Sequence, residues 1–110
     1  MTNQEPANEV SIDEAVARKL GWKHPPHSSR HWHNPEDDDR LYDAVPPYST
    51  DIKAAWEILA TLEKRGMYYT IQNLSTGFIF CRVGDEDVTT TAEEAFAPLA
   101  ICKAFLALND

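Results

Sequence analysis

The stretch of this chain that decides its fold reads PPYSTDIKAAWEILATLEKRG and covers residues 46–66. Its apolar residues recur at spacings of three and four, which is the period of one helix face. Ser49 or Thr50 is expected to cap this helix, with Asp51 in its first turn. Gly66 is expected to end it. The stretch therefore predicts an amphipathic helix that buries one apolar face, made of Ile52, Ala55, Trp56, Leu59 and Leu62.

Strand-like sequence follows this helix. Residues 67–74 and 78–83 are rich in β-branched and aromatic residues and are separated by Ser75-Thr76-Gly77, which predicts an antiparallel hairpin. In the second run both alternating sets of side chains are largely apolar, so we expect this strand to be covered on both faces. A short polar run at residues 88–91 predicts a third strand at the edge of the sheet.

Two more helices are predicted, one on each side of this central part. Residues 11–14 read SIDE, which matches a capping box, and Gly21 supplies the end of that first helix. The last helix, at residues 97–107, is apolar around most of its surface and has Pro98 in its first turn. It should therefore be the most buried helix. Cys81 and Cys102 lie in apolar runs, and we expect two small buried thiols rather than a disulfide.

The rest of the chain lacks a clear period. Residues 22–47 hold five prolines and four histidines and predict a long His/Pro/Asp-rich loop, with a short extended piece around Leu41 and Tyr42. The polar residues 1–10 predict a flexible tail, and residues 11–110 a single domain.

Three segments together resemble the signature of the phage ABA sandwich domain, a family of small proteins encoded by phages and prophages. They are residues 15–22 (AVARKLGW), 46–59 (PPYSTDIKAAWEIL) and 97–107 (APLAICKAFLA), so the resemblance covers most of residues 12–108. At Phe96 and Ala97 this chain lacks the polar cap that the family usually has before the proline. The expected fold is α/β (α+β), with three helices packed on a small antiparallel sheet of two to three strands, and the family's name implies an α/β/α sandwich. The family has no assigned activity, so the resemblance implies an origin and no reaction.

Charge narrows the choice of partners. The 18 acidic and 10 basic residues give a net charge of −8, and acids cluster at residues 36–39, 85–87 and 93–94. Such a surface repels nucleic acid, so we expect no direct binding of DNA or RNA. It would be attracted to a basic groove on another protein, although the charge could also serve solubility alone. The first twenty residues contain no apolar run, which predicts a cytoplasmic protein without a signal peptide or membrane span.

Candidate site residues fall into two groups. The histidines flanking Trp32 predict that this aromatic is exposed, and with two acidic clusters it forms the predicted partner-binding set: Trp32, Glu36, Asp37, Asp38, Asp39, Asp85, Glu86 and Asp87. Imidazole side chains can bind zinc or nickel, and the weak metal candidates are His24, His27, His31 and His33. No zinc-finger spacing, nucleophile motif or phosphate-binding loop is present in the sequence, so we expect no enzyme and no cofactor.

The resemblance and the charge together predict a phage- or prophage-encoded accessory protein. It would act by stoichiometric binding to a host or defence-system protein that has a basic surface, and an anti-CRISPR-type inhibitor is the most concrete form of this hypothesis. Two alternatives stay open: a metal-binding module built on the histidines, and a virion-assembly component. The sequence also leaves a homo-oligomer open.

Overall fold

The structure, a computed structural model, describes residues 9–24, 31–35 and 37–108, with side chains from Ile12 onward except those of residues 37–41. Its elements, in chain order, are α1 (Glu9–Leu20), β1 (Trp32–Asn34), β2 (Asp37–Tyr42), α2 (Ile52–Lys64), β3 (Tyr68–Asn73), β4 (Ile79–Gly84), β5 (Thr89–Glu94) and α3 (Ala97–Ala107). Of the predicted tail, residues 1–8 lie outside the described residues. Glu9 and Val10 are helical, so the domain begins earlier than predicted.

The larger sheet is an antiparallel meander in the order β3-β4-β5. Its register aligns Ile71 with Cys81 and Cys81 with Ala92 on the face toward the helices, where Cys81 is fully buried. On the opposite face the exposed Arg82 lies between Thr70 and Thr91. This second face is open, so the prediction that both faces of β4 are covered is wrong. The apolar residues of β4 do not show which side chains its neighbouring strands contribute. On this face β3 and β5 place the polar residues Thr70 and Thr91 beside it.

All three helices lie on the other face. Helix α3 packs on β4 and β5, α2 packs on β3 and α3, and α1 packs against α3. The Thr90 hydroxyl donates to the Ala104 carbonyl at 2.6 Å, and the Lys19 ammonium donates to the Phe105 carbonyl at 2.8 Å. These two bonds connect the central helix to the sheet and to α1. The predicted α+β fold of three helices on a small antiparallel sheet is confirmed. Helix α3 is its centre, as predicted.

The N-cap of helix α2 lies one or two residues later than predicted. Asp51 is the N-cap, and its carboxylate accepts from the Lys53 amide at 2.9 Å. Ser49 is buried, and its amide donates to the Asp13 carboxylate at 2.7 Å. The prediction that Ser49 or Thr50 caps this helix is therefore wrong. The helix ends as predicted, because Gly66 has φ 80° and lets the Met67 amide donate to the Leu62 carbonyl.

Of the other two helices, α1 starts earlier than predicted and α3 starts where it was predicted. Helix α1 begins at Glu9, so Ser11 and Glu14 lie inside the helix and form no capping box. Gly21, at φ 107°, ends this helix as predicted. Helix α3 begins at Ala97, one residue before Pro98, and Phe96 caps it without a side-chain hydrogen bond.

The covered side of α2 is rotated relative to the predicted face. Ile58, Leu59 and Leu62 are at most 1 % exposed. Trp56 is 52 % exposed and contacts Tyr69 only edge-on, with ring centroids 6.2 Å apart. Ile52, on the same predicted face, is 48 % exposed. The prediction that Trp56 and Ile52 are buried is therefore wrong. The helical period shows which residues share a face of α2, but it does not show how much of that face is covered. Here α3 and β3 cover the part of the helix surface around Ile58 and Leu62, and Trp56 lies at the border of this covered part.

The proline-rich segment contains more structure than predicted. Strands β1 and β2 form a two-stranded antiparallel sheet that aligns Trp32 with Tyr42, and Lys23 pairs with His33 beside it. Only the extended piece at Leu41 and Tyr42 was anticipated within the predicted loop. Trp22 is buried and meets the Tyr42 ring edge-on at 5.2 Å, which attaches this small sheet to the core.

Candidate protein-binding surface

An acidic turn joins β4 to β5 at residues 85–88, and its shape is fixed by its own first residue. The Asp85 carboxylate accepts from the amides of Val88 and Asp87, each at 2.9 Å. These bonds, with that from Val88 the stronger influence, lower the pKa of Asp85. Gly84 precedes the turn at φ 145°, where an added Cβ would lie 2.1 Å from the Val88 carbonyl oxygen. The turn therefore needs glycine at 84 and a hydrogen-bond acceptor at 85.

The tip of the acidic turn presents two of the predicted partner-binding acids to solvent. Glu86 and Asp87 are both exposed. Tyr68 is aligned with Gly84 in the neighbouring strand, so its side chain lies at the same end of the sheet. Tyr68 is 51 % exposed and Val88 is 50 % exposed. The end of the sheet thus combines two carboxylates with an aromatic and an aliphatic side chain, a mixture suited to contact with another protein.

The second predicted acidic cluster is described only in part. Glu36 lies outside the described residues. Asp37, Asp38 and Asp39 are in β2, and their side chains are likewise outside what the structure describes. Their role in partner binding stays a prediction, and of the two clusters only the acidic turn has side chains within the described residues.

Trp32 does not belong to the exposed surface. It is 4 % exposed, with the Arg18 guanidinium 5.1 Å from its ring centroid and the His24 ring 4.6 Å away. The prediction that Trp32 is the exposed aromatic of this segment is wrong. Its polar neighbours in sequence were misleading, because side chains that alternate along a strand point to opposite faces.

The three histidines that the structure describes, His24, His31 and His33, each have a different neighbour. The His24 ring packs at a tilt against Trp32, His31 pairs with Asp43 at 3.2 Å, and the backbone of His33 pairs with Lys23. His27 lies outside the described residues. Among the described residues no group of three His, Cys, Asp or Glu side chains could hold a metal ion. The metal-binding alternative stays a prediction, because His27 and the side chains of the neighbouring acids lie outside the described residues.

A shallow cleft lies between α2 and the start of the proline-rich segment. It encloses about 250 Å³, which is below the roughly 300–1,000 Å³ usual for small-molecule sites. Burial, more than any other influence, raises the pKa of the Tyr48 hydroxyl at its floor, so this group is a poor acid. The cleft is lined by Leu20, Trp22, Asn34, Pro35, Tyr48, Glu57, Ala60, Thr61 and Lys64.

The two cysteines are free and fully buried, as predicted. Burial raises the pKa of the Cys81 thiol to about 11 and that of the Cys102 thiol to about 12. Both thiols are therefore protonated at neutral pH and unreactive, because the thiolate is the nucleophile. That the chain is not an enzyme stays a prediction.

No helix in the described residues is long and apolar enough to cross a membrane.

Sequence reasoning found the acids of the turn but missed their apolar neighbours. Tyr68 comes beside the turn only through the register of β3 on β4, and Val88 was assigned to the third strand. The predicted hairpin could have located Tyr68. If the two strands are paired outward from the turn at residues 75–77, residue 68 lies opposite residue 84, directly before the acidic turn.

Comparison with known proteins fits this architecture. The chain is similar to a phage protein from Bacillus cereus whose crystal structure is known, with a TM-score of 0.75 and 20 % identity over 96 % of this chain and 90 % of that one. At this identity the likeness shows a shared fold. No curated protein matches the chain. The family model of the phage ABA sandwich domain matches residues 14–106. The chain therefore belongs to the phage ABA sandwich domain family.

Proposed function

We propose that this member of the phage ABA sandwich family is a stoichiometric binding protein that engages a host or defence-system protein through the acidic turn. The observation that supports this most is the exposure of Glu86 and Asp87 on a turn held in shape by Asp85, beside the exposed Tyr68. A preformed contact loses little conformational freedom on binding, so more of its interaction energy appears as affinity.

Charge determines the kind of partner. The net charge of −8 and the two carboxylates at the tip favour a partner whose binding groove is lined by lysine and arginine. Electrostatic attraction of this kind speeds the encounter, and Tyr68 and Val88 then supply apolar area that is buried in the complex. Defence proteins that bind nucleic acid have such basic grooves. An anti-CRISPR-type inhibitor is therefore the most concrete form of the proposal.

The test starts with capture of the partner. Immobilised wild-type protein is exposed to host lysate beside a variant with Glu86→Gln and Asp87→Asn, and co-purifying proteins are identified by mass spectrometry. The control variant, Glu57→Gln with Glu63→Gln, removes the same charge from exposed positions of α2. We expect one basic protein to be retained by the wild type and the control, and to be lost with the turn variant.

Association kinetics with that protein then test the mechanism. The Debye length falls from about 10 Å at 0.1 M salt to about 3 Å at 1 M, so association should slow markedly over this range. The turn variant should associate slowly at both salt concentrations, and the control should behave like the wild type. Equal rates for all three proteins at both concentrations would contradict the proposal and leave the acids as a solubility feature.

A further inference from the structure

The outer edge of β3 differs from the edges that proteins usually leave in solvent. Strand β3 is the first strand of the sheet, and within the described residues it has a neighbour, β4, on one side only. Its sequence is YYTIQN, six residues without a charge or a proline. Natural edge strands are usually protected by charges, prolines or bulges, because an unprotected edge pairs with other chains. This edge has none of these protections.

An apolar strip of α2 lies beside the same edge. Helix α2 packs on β3, whereas α3 packs on β4 and β5, so the helix next to the open edge is α2. Ile52 and Trp56, one helical turn apart, are 48 % and 52 % exposed. Trp56 reaches the edge strand itself, since its ring meets that of Tyr69. The unpaired backbone of β3 is thus flanked by a large, half-covered aromatic side chain.

Charge indicates which chain can cover this edge. A second copy of a chain with a net charge of −8 is repelled at most surfaces, and like charges placed opposite each other in a sheet are destabilising. Strand β5, at the other edge, contains Glu93 and Glu94, so two copies that met there would bring four carboxylates into one short interface. If β3 pairs with the β3 of a second copy, only uncharged side chains lie opposite each other. Of the two edges, β3 is the one at which two copies can meet.

We propose that two copies of this chain pair antiparallel through β3, which gives a six-stranded sheet. A two-fold axis perpendicular to the sheet, near Thr70 or Ile71, pairs the strands and keeps the helices of both copies on one face. The two α2 helices then lie side by side, and Ile52 and Trp56 of each copy become covered. The dimer would explain why the sequence period of α2 places Trp56 on the apolar face. In one copy alone this side chain is half exposed, and in the dimer it would be covered.

The acidic turn remains free in this dimer. It follows β4 and leads into β5, away from the outer edge of β3. The two proposals share only Tyr68, whose backbone belongs to the edge strand and whose side chain lies at the same end of the sheet as the acidic turn. Their tests change different residues, Thr70 and Thr91 for the dimer and Glu86 and Asp87 for the partner. Failure of one proposal therefore leaves the other in place. A dimer would present two acidic turns and increase the avidity for a partner with repeated basic sites.

The test uses a matched pair of variants of the full chain. Thr70 and Thr91 flank Arg82 on the open face, one in each edge strand, so Thr70→Glu and Thr91→Glu add the same charge in similar surroundings. Light scattering after size exclusion should give twice the monomer mass for the wild type and for T91E. For T70E the dissociation constant should rise at least about tenfold, because the new carboxylates face each other near the axis.

Tryptophan quenching gives a second measurement that needs no variant. Trp22 and Trp32 are buried and Trp56 is half exposed, so quenching by acrylamide reports mainly on Trp56. Quenching should weaken as protein concentration rises through the dimer midpoint. A wild type that stays monomeric at high concentration, or a dimer that T91E dissociates and T70E does not, overturns the proposal. Retention of an unrelated peptide strand at β3 by a monomeric wild type would overturn it as well.

Discussion

The two edges of the three-stranded sheet differ in charge, although both belong to short antiparallel strands of the same length. The β3 edge has no charged residue and lies beside the exposed Trp56. The β5 edge begins after the acidic turn and ends at Glu93 and Glu94, of which Glu94 pairs with Lys103 at 2.8 Å. In a strongly acidic chain, an uncharged edge suits contact with another copy, and an acidic edge repels it. Under the proposed dimer, the distribution of charge therefore separates the edge that pairs with a second copy from the edge that repels one.

The largest effect should come from removing the support beneath the β3 edge. Leu62 is fully buried on the inner side of α2, and Leu62→Ala should lower the free energy of unfolding by about 2–5 kcal/mol through lost burial and a cavity. Trp56→Ala is the matched variant on the outer side. In a dilute, monomeric sample this variant should lower the free energy of unfolding by only about 1 kcal/mol, because half of the Trp56 side chain is already in solvent. Urea unfolding of both variants checks this. Equal losses would mean that Trp56 belongs to the monomer core.

Removing the charges from the β5 edge should make the two edges alike. With Glu93→Gln and Glu94→Gln both edges are uncharged, so we expect species larger than a dimer to form as concentration rises. Sedimentation velocity at several concentrations measures this. Glu94→Gln alone serves as the control, because it breaks the pair with Lys103 and leaves Glu93 in place. A double variant that never exceeds the wild-type mass would show that charge does not protect this edge.

The smallest effect should come from the acidic turn, where Asp85 supplies both charge and a hydrogen-bond acceptor. Because its pKa in the folded protein is lowered, its stabilisation of the turn is present above the ordinary Asp pKa of about 3.9 and is lost as pH falls through the lowered value. The protection factors of the Asp87 and Val88 amides, taken relative to the intrinsic exchange rate at each pH and followed by NMR, should therefore fall at acid pH. Asp85→Asn, which retains the acceptor, should keep these amides protected at neutral pH, whereas Asp85→Ala should not. Equal exchange in the two variants would contradict this role.

Local sequence patterns predicted the main elements of the fold. The period of α2, the β-branched runs around Ser75-Thr76-Gly77 and the apolar helix after Phe96 gave the helices and the hairpin. Strands β1 and β2 were missed because residues 22–47 have no alternating pattern, and their pairing depends on contacts between Lys23, His33 and Leu41. Pairing of this kind is tertiary information that a single stretch does not contain.

The candidate site was predicted to a smaller extent. Clustering identified the acids of the turn, but exposure of aromatic residues was predicted wrongly for both Trp32 and Trp56. In each case the neighbouring residues in sequence suggested which way the side chain faces, but they could not show what packs over it. Arg18 and His24 cover Trp32, and nothing in the described monomer fully covers Trp56. Burial depends on distant parts of the chain, or on a second copy.

Hydrogen exchange at low and high protein concentration tests the difference between the two edges most directly. Amides of β3 whose N–H groups point away from β4 should gain protection as the concentration passes the dimer midpoint, because they become paired with the second copy. Amides of β5 and of the acidic turn should exchange at the same rate at both concentrations. Protection gained in β5 or the turn, or no change in β3 across the whole range, would contradict the assignment of the uncharged edge to self-association.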